Sequence, residues 1–286
     1  FSLFIPFIFN SHICTFVLSP HFTAGFKSTY VRLADFPGVE NQPVRTLQAI
    51  EDRNCGWLYE ADQAEFQIIP GKPIAYWVCP EVRNSFSNLR PLSYYASPKQ
   101  GIKTGDNDRF LRLWQEVSID KIALTGQESS KITWFPCSKG GHYRKWYGNH
   151  YYVLNWRDEG HDIKNFFDEE GELRSRPQNI DFFFRTGITW STITSSDISA
   201  RLFPKNFAFE SAGSVCFPHQ IADLALIQCA LNSSAVSVFL EALSPTLSFS
   251  EGTIATLPVA NVANVSEIFR RLLQISQKDW DSFERS

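Results

Sequence analysis

Basic and aromatic residues that could bind a nucleic acid are concentrated in one short stretch of this chain, residues 139–157. It reads K-G-G-H-Y-R-K-W-Y-G-N-H-Y-Y-V-L-N-W-R, with six aromatic residues, four Lys or Arg, two His and no carboxylate. Basic groups neutralise phosphates, aromatic rings stack on bases, and Gly140 and Gly141 let a backbone approach a ligand closely. This aromatic-basic stretch therefore indicates a nucleic-acid contact strand. An exposed hairpin, with rings packed on one face and solvated cations on the other, explains the same residues equally well.

A second candidate is the turn-rich segment at residues 97–114, S-P-K-Q-G-I-K-T-G-D-N-D-R-F-L-R-L-W. Two glycines bracket a Lys-Thr pair, and polar residues lead into an apolar run, so the candidate residues are Lys103, Thr104, Asn107 and Asp108. Such a loop could hold a phosphate with backbone amides and a lysine. Because the full P-loop spacing is absent, the residues alone favour a tight surface loop ahead of a strand.

Two further segments carry polar side chains. Seven carboxylates at residues 158–172 could serve metal or glycosidase chemistry, but no pair lies within a recognisable motif, so we interpret them as a solvated loop. Residues 181–190 predict a strand, which Ser and Thr residues continue as far as Ser196. Their hydroxyls could bond to base edges or occupy the wet face of a strand.

Composition limits the classes of protein to consider. The 286 residues, 43% hydrophobic and 15% aromatic, suffice for one large or two ordinary domains and exclude a disordered tail. A net charge of -3 excludes a chain that is basic throughout, so any nucleic-acid contact depends on a local patch. Six widely spaced cysteines without a C-x-x-C pair predict reduced, mostly buried thiols in a cytoplasmic protein without a structural metal.

We expect the sequence to be a fragment of a longer protein, because it starts at Phe1 and contains no Met. Its apolar opening is interrupted by Pro6 and has no basic residue before it. We therefore interpret the opening as a truncated core element rather than a signal peptide or a membrane span.

The elements that must position these residues alternate between strands and helices. Apolar and β-branched runs predict strands at residues 15–18, 29–33, 65–69, 74–79 and 110–114. Helical spacing predicts helices at residues 43–50, 220–243 with a break at 232–234, and 265–277. Together these elements predict a mixed α/β fold.

Six segments, in their order along the chain, resemble one family, the PglX (BrxX) DNA methyltransferases of BREX phage-defence systems. They are Y-V-R-L-A-D at 30–35, P-I-A-Y-W-V at 73–78, K-Q-G-I-K-T-G-D-N-D-R-F-L-R-L-W at 99–114, W-F-P-C-S-K-G-G-H-Y-R-K-W-Y-G-N at 134–149, L-S-P-T-L-S-F at 243–249 and D-W-D-S-F-E at 279–284. The K-G-G-x-Y-R-K-W-Y-G-N run is the most specific, whereas T-G-x-N-D-x-F is shared with other large restriction-modification methyltransferases. The resemblance spans nearly the whole chain except its opening residues.

The resemblance implies a class I methyltransferase that moves a methyl group from S-adenosylmethionine to the exocyclic amine of adenine in double-stranded DNA. The chain has no Pro-Pro and no Gly-x-Gly, so it lacks the family's Asn-Pro-Pro-Tyr motif and cofactor loop, and no catalytic residue is assigned. By the resemblance, residues 1–90 end the methyltransferase domain, residues 91–260 form a mixed-sheet target-recognition domain, and residues 261–286 begin a C-terminal helical region. This chain alone is expected to bind no cofactor and to be inactive, and other BREX components are candidate partners.

On this basis the upstream domain holds the cofactor and the flipped adenine, while this chain reads the DNA sequence. The candidates for phosphate or guanine contacts are Lys139, Arg144, Lys145 and Arg157, and those for stacking are Tyr143, Trp146 and Tyr147. Weaker candidates for base readout are Arg185, Thr189 and Ser191. The loop residues Lys103, Thr104, Asn107 and Asp108 are expected near the junction with the catalytic domain.

Two other interpretations stay open. Trp and Tyr side chains beside carboxylates also suit a carbohydrate-binding or carbohydrate-active β-rich domain. The third interpretation is a protein-interaction module of the same defence complex. Salt-dependent binding to duplex DNA distinguishes the first interpretation from these two, because phosphate contacts release counterions.

Overall fold

The structure, a computed structural model, describes residues 16–17, 23–123, 132–244 and 248–283 of the chain. The chain divides into two compact units, Phe1–Ala64 and Glu65–Ser286. Short strands, short helices and a longer C-terminal helix confirm the mixed α/β class predicted from the sequence. The apolar opening and half of the strand predicted at residues 15–18 lie outside the described residues, whereas the domain boundaries predicted above stay a prediction.

The first unit contains a two-stranded antiparallel sheet and one helix. Strand β1 (Lys27–Val31) pairs over its whole length with β2 (Leu58–Asp62), and α1 (Asn41–Glu51) lies between them in the sequence. The Trp57 indole donates to the Arg45 carbonyl oxygen at 3.0 Å and meets the Phe36 ring edge-on at 5.1 Å. The strand and helix predicted in this part of the sequence are therefore confirmed close to their predicted bounds.

The second unit combines many short elements. In chain order they are α2 (Pro80–Asn88), β3 (Arg90–Pro91), β4 (Ala96–Lys99), α3 (Asn107–Phe110), β5 (Leu111–Leu113), β6 (Trp134–Ser138), β7 (Tyr152–Asn155), α4 (His161–Lys164), β8 (Gly187–Trp190), β9 (Ala200–Phe203), β10 (Ala208–Phe209), β11 (Val215–Pro218), α5 (Leu224–Asn232), α6 (Ser234–Leu243), α7 (Glu251–Ala255), β12 (Pro258–Val259) and α8 (Val265–Trp280).

Two four-stranded sheets form the centre of the second unit. Sheet I has the order β10-β6-β7-β5, sheet II has the order β4-β11-β8-β9, and β3 pairs separately with β12. Alternate residues of a strand point to opposite faces. On β11, Cys216 joins a core with helices α5, α6 and α7, whereas Val215 and Phe217 join a second core with residues of sheet I. Sheet II therefore separates a helix-covered core from a core between the two sheets.

Phenylalanine fills the core between the sheets. The Phe209 ring lies 5.5 Å from Phe217, 5.8 Å from Phe203 and 5.4 Å from Phe183, measured between centroids. Edge-on and tilted ring pairs at these distances add favourable interactions to the area that they bury. The high aromatic content of the sequence is therefore used largely inside the protein.

The helical predictions at the C-terminal end of the chain are confirmed. The apolar pattern at residues 220–243 forms α5 and α6, which are separated at Ser233 and bent by 73°, and α8 extends a little beyond its predicted end. Within the described residues no single helix is long and apolar enough to cross a membrane. Among the described helices, one bent pair, Ile221–Asn232 with Ser234–Leu243, passes that test together by length and composition.

Two strand predictions were wrong, and among the described helices α2, α3, α4 and α7 were not predicted. Residues Gln63–Gln67 form a 3-10 helix, and residues 74–79 contain no strand. The apolar character of the latter run arises because Ala75 and Val78 pack with Ala242 in a small separate core. Helix α2 begins at Pro80, a favoured first position because its fixed φ suits a helix and its missing N–H is not needed there.

The helix-covered core predicts a clear difference between two substitutions. Leu231 on α5 is fully buried, whereas Ile221 is 68% exposed. We expect Leu231→Ala to lower the free energy of unfolding by about 2–5 kcal/mol because it leaves a cavity, and Ile221→Ala to change it by less than about 0.5 kcal/mol. Urea denaturation followed by tryptophan fluorescence measures both values, and equal effects would contradict the assignment of this core.

Candidate nucleic-acid interface

The aromatic-basic stretch is mostly a loop, and only its end forms strand β7. One parallel bridge attaches the loop to the edge of sheet II. The Trp146 N–H donates to the Ala200 carbonyl oxygen at 2.9 Å, and the Leu202 N–H donates to the Trp146 carbonyl oxygen at 2.8 Å. The stretch is therefore not one long contact strand: it forms the connection and the second strand of the antiparallel β6–β7 hairpin, and the connection carries most of the cations.

Glycines in this loop allow the backbone to pack closely against the protein itself. Gly140 has φ +74°, and a Cβ atom there would lie 2.6 Å from the Ala212 carbonyl oxygen. Gly148 has φ +117°, and a Cβ atom there would lie 2.6 Å from the Trp280 ring. At Gly140, the close approach that the sequence predicted toward a ligand is an approach to a neighbouring segment of the chain, and Gly148 packs in the same way.

Arg144 connects the loop to helix α8. Its Nη2 atom pairs with the Asp279 carboxylate, its Nε donates to the Tyr147 carbonyl oxygen at 2.9 Å, and its guanidinium lies 5.1 Å from the Trp280 ring centroid. The Arg144 side chain is 22% exposed. This cation, one of the four candidates for phosphate or guanine contacts, is therefore paired inside the protein.

Lys145, Trp146 and Tyr147 also contribute to internal contacts. The Lys145 ammonium donates to the carbonyl oxygen of Asn232 at 2.8 Å, which places a positive charge at the C-terminal end of α5. The Trp146 carbonyl oxygen accepts a hydrogen bond of 2.8 Å from Gln228. The pKa of Tyr147 is raised by burial and, to a smaller extent, by the charge of Asp281. These three candidates stay predictions as DNA contacts, and their observed role is to fix the loop.

Beneath the loop lies a buried cation, Arg201, only 1% exposed. Its Nη1 atom donates to the carbonyl oxygens of Arg144 and Ser199, both at 3.3 Å. Burial and the nearby Arg144 lower the pKa of Arg201 to about 10. Burial first, then the charges of Arg201 and Arg144, lower the pKa of His150 to about 4, so this imidazole is neutral near pH 7.

The other candidates of the aromatic-basic stretch reach the surface. Tyr143 is 51% exposed. The Lys139 ammonium lies 4.9 Å from the centroid of the Tyr152 ring, and the Arg157 side chain is 66% exposed and pairs with Asp158 at 3.3 Å. Of the candidates in the aromatic-basic stretch, Tyr143, Lys139 and Arg157 are therefore the most accessible to an external ligand.

The three weaker candidates lie in different surroundings. Thr189 is 4% exposed and donates to the Ser214 carbonyl oxygen at 3.0 Å, while Ser191 is 7% exposed and donates to the Gly141 carbonyl oxygen at 2.9 Å. Both hydroxyls are thus engaged within sheet II and its neighbouring loop. Arg185 is exposed, and its guanidinium lies 5.1 Å from the centroid of the Phe182 ring.

The loop around Lys103 is a structured turn at the start of α3. The Thr104 hydroxyl is buried and donates to the Asn107 side-chain oxygen at 2.7 Å, and Asp106 caps α3 by accepting from the Arg109 N–H at 3.0 Å. Asp108 and Lys103 are exposed. The structure brings Lys103 together with Arg176, because the two residues exchange backbone hydrogen bonds of 3.1 and 2.8 Å.

Sequence reasoning missed a group of cations beside this loop. These cations are exposed or half-buried, and each lies against an aromatic ring or pairs with Lys103: Lys99, Arg109, Arg174 and Arg176. In the sequence, Lys99 and Arg109 lie in the turn-rich segment at 97–114, and Arg174 and Arg176 follow the acidic segment at 158–172. For two of them the sequence offers the R-S-R run at 174–176, because alternate residues of an extended segment share a face, but three residues are too few to predict such a segment.

Two other expectations can be compared with the structure. Each of the eight Trp side chains is buried or half-buried, which disfavours an exposed tryptophan platform for sugars. Over the described part of the chain, no group of three or more His, Cys, Asp or Glu side chains is arranged to hold a metal ion. Five cysteines are described and all are free thiols: Cys137 and Cys216 are buried, Cys55 and Cys229 are half-buried, and Cys79 is exposed.

Comparison with known proteins finds two curated relatives that match nearly the whole chain. The chain is 39% identical over 279 residues to the adenine-specific methyltransferase PglX of Lacticaseibacillus casei (strain Zhang), a match covering 95% of the chain and 23% of that protein. It is 32% identical over 273 residues to the adenine-specific methyltransferase BrxX of Escherichia coli O9:H4 (strain HS), covering 94% of the chain and 21% of that protein. The chain thus spans less than a quarter of the length of these relatives. No family model matches it.

The buried imidazole of His150 predicts a specific dependence of stability on pH. Its pKa is about 4 in the folded protein and 6.5 ordinarily, so the unfolded chain binds the additional proton as the pH falls below about 6.5. We expect this residue to lower the free energy of unfolding by about 2 kcal/mol between about pH 7 and about pH 5. Urea denaturation of His150→Phe, which cannot titrate, should show a correspondingly smaller loss than the unsubstituted chain.

The exposed His142 provides the control for this measurement. The substitution His142→Phe makes the same change of side chain at this exposed position, so it measures the effect of replacing a His by Phe as such. If His150→Phe loses as much stability at the lower pH as the unsubstituted chain, His150 is not the buried neutral group that the structure indicates.

Proposed function

Since this chain is homologous over nearly its whole length to part of the PglX and BrxX adenine-specific methyltransferases, we propose that it recognises duplex DNA for an enzyme that methylates adenine. The names of the relatives give the class of reaction, adenine-specific methyl transfer, and from this reaction we propose DNA as the substrate. In this proposal the chain contributes target recognition rather than methyl transfer. We further propose that the enzyme belongs to a BREX-type phage-defence system and acts in the cytoplasm, with other components of that system as partners.

The observation that carries this proposal is a group of exposed cations that have no carboxylate partner among the described residues, in a chain whose net charge is -3. The exposed cations Lys103, Arg174, Arg176 and Arg185 lie on neighbouring segments, and within the described residues none of them comes within 4.0 Å of a carboxylate. Neutralisation of phosphates supplies most of the affinity when a protein binds DNA without sequence preference. It also supplies a large share of the affinity when binding is sequence-specific. A concentrated set of unpaired cations suits that role.

The topology supports residues 91–260 as the recognition domain. Strand β3 pairs with β12 through Pro91 opposite Pro258 and Arg90 opposite Val259. The two ends of the proposed domain are therefore held side by side, and both sheets lie between them in the sequence. Helix α8 then belongs to the proposed C-terminal region, and the first unit to the proposed end of the methyltransferase domain.

S-adenosylmethionine would supply the methyl group in such an enzyme, but the described residues do not fit its usual site. The sequence has no Gly-x-Gly loop, and the one parallel pairing between described strands, β10 with β6, involves two residue pairs. A class I cofactor site instead follows a parallel strand with a glycine-rich turn and a helix. We therefore derive no step of methyl transfer for this chain and assign it no catalytic residue.

Equilibrium binding to duplex DNA tests the proposal. The chain should bind a short labelled duplex, and the logarithm of the association constant should fall linearly with the logarithm of KCl concentration, by about 0.9 for each phosphate contact. Fluorescence anisotropy at KCl concentrations from about 50 to 200 mM gives this slope. Selection from a pool of random duplexes should then enrich a shared sequence, as expected of target recognition.

Three outcomes separate the interpretations. No binding at low salt would contradict a role in holding DNA. Binding that is salt-dependent but enriches no sequence would limit the role to holding the backbone and contradict target recognition. Binding to oligosaccharides without binding to DNA would favour the carbohydrate interpretation instead.

A further inference from the structure

Two segments that are far apart in the sequence lie side by side in the second unit. Lys103 and Arg176 form an antiparallel bridge, the Gln178 side-chain amide donates to the Gly101 carbonyl oxygen at 2.8 Å, and the Asn179 amide donates to the Gln100 carbonyl oxygen at 3.0 Å. Backbone and side-chain bonds therefore fix residues 176–179 along residues 100–103. The cations on the two segments share one framework.

The cations on these segments point to the same side. Arg174 and Arg176 are exposed, whereas Ser175 between them is 5% exposed and its hydroxyl donates to the Ile163 carbonyl oxygen. This alternation is that of an extended segment with one face outward. Lys103 is exposed and directly opposite Arg176 in an antiparallel bridge, where paired side chains project from the same face. Lys103, Arg174 and Arg176 therefore form one charged face.

Aromatic rings hold further cations at both ends of this face. The guanidinium groups of Arg109 and Arg174 lie 4.9 and 5.0 Å from the centroid of Phe166. The Lys99 ammonium and the Arg185 guanidinium each lie 5.1 Å from the centroid of Phe182. Each ring thus brings two like charges together, which is unfavourable unless an anion or solvent screens them.

No carboxylate neutralises this group within the described residues. None of the six cations lies within 4.0 Å of an Asp or Glu oxygen, in contrast to Arg144 and Arg157. Nearby acids are used elsewhere: Asp106 accepts from the Arg109 N–H, and Asp168 accepts from the N–H groups of Glu170 and Glu172. The positive face is therefore open to an external anion.

We propose that these six residues form a basic track that binds the phosphodiester backbone of duplex DNA: Lys99, Lys103, Arg109, Arg174, Arg176 and Arg185. The proposal rests on the DNA-binding function proposed above and assigns its phosphate contacts. Four residue steps from Lys99 to Lys103 in extended conformation span roughly 13 Å. One strand of duplex DNA advances about 3.4 Å along its axis for each phosphate, so this length corresponds to about four base-pair steps.

The track is held rigidly enough to select a backbone geometry. Gly105 has φ +77°, and a Cβ atom there would lie 2.8 Å from the Arg174 carbonyl carbon and oxygen. The turn before α3 therefore packs directly on the backbone that carries Arg174. Because Lys103, Arg174 and Arg176 stand on paired segments and not on a free loop, their backbone is already ordered before phosphate binds.

The test removes charge from the track and compares the salt dependence of binding. In the whole chain, the double substitution Arg174→Gln with Arg176→Gln should reduce the salt slope for duplex DNA by about 2 and weaken binding by the same factor for duplexes of different sequence. The double substitution Arg270→Gln with Arg271→Gln makes the same charge change at two exposed arginines of α8. That control should retain the slope and affinity of the unsubstituted chain.

Each outcome bears on one proposal. If the unsubstituted chain binds and the track substitutions leave slope and affinity unchanged, the track is overturned while DNA binding stands. If the Arg270 and Arg271 control loses as much, the effect is one of net charge and the track is also overturned. If the unsubstituted chain does not bind DNA, the proposed function fails and the track with it. Should the double variant prove unfolded by circular dichroism, Lys103→Gln, an exposed position whose backbone bonds are retained, decides by a slope reduced by about 1.

Discussion

The second unit depends on how it accommodates one buried guanidinium. Arg201 has no carboxylate within 4.0 Å among the described residues, so main-chain carbonyl oxygens of Arg144 and Ser199 accept its hydrogen bonds. A buried charge without such partners would be strongly destabilising. The loop over β9 must therefore turn its carbonyl groups inward. Trp146, with φ +74°, pairs with Arg201 in a parallel bridge, and the Arg144 carbonyl oxygen of the same loop accepts from the guanidinium.

The same buried charge sets the electrostatics of its neighbours. The charge of Arg144 contributes to lowering the pKa of Arg201. Burial is the largest cause of the lowered pKa of His150, and the charges of Arg201 and Arg144 lower it further. A second positive charge in this region is tolerable because Asp279 of α8 pairs with Arg144. The C-terminal helix thus supplies the acid that the loop lacks, and Trp280 closes the contact with 4% exposure. The composition of the stretch, basic and without carboxylates, reflects this partnership as much as any ligand.

Elements that depend on local pattern could be predicted from the sequence, and those that depend on distant partners could not. The periodicity of α5, α6 and α8 lies within each helix, so it identified them and the break at Ser233. The sequence showed that Arg144 and Lys145 are cationic, but their partners, Asp279 and Asn232, are far away along the chain. The alternation at residues 174–176 covers too few residues to indicate a strand, so its charged face was visible only once Lys103 was found opposite Arg176.

These differences decide which cations can contribute to binding. Transferring Arg144 from Asp279 to a phosphate would exchange one ion pair for another and leave the Asp279 carboxylate unpaired, so the net gain is small. A cation of the track begins in water without a carboxylate partner, and phosphate binding adds counterion release without breaking an existing pair. The aromatic-basic stretch and the basic track are therefore complementary. In the stretch, Arg144 and Lys145 fix the loop at the edge of sheet II, whereas the framework of the second unit leaves the charges of the track available to an external polyanion.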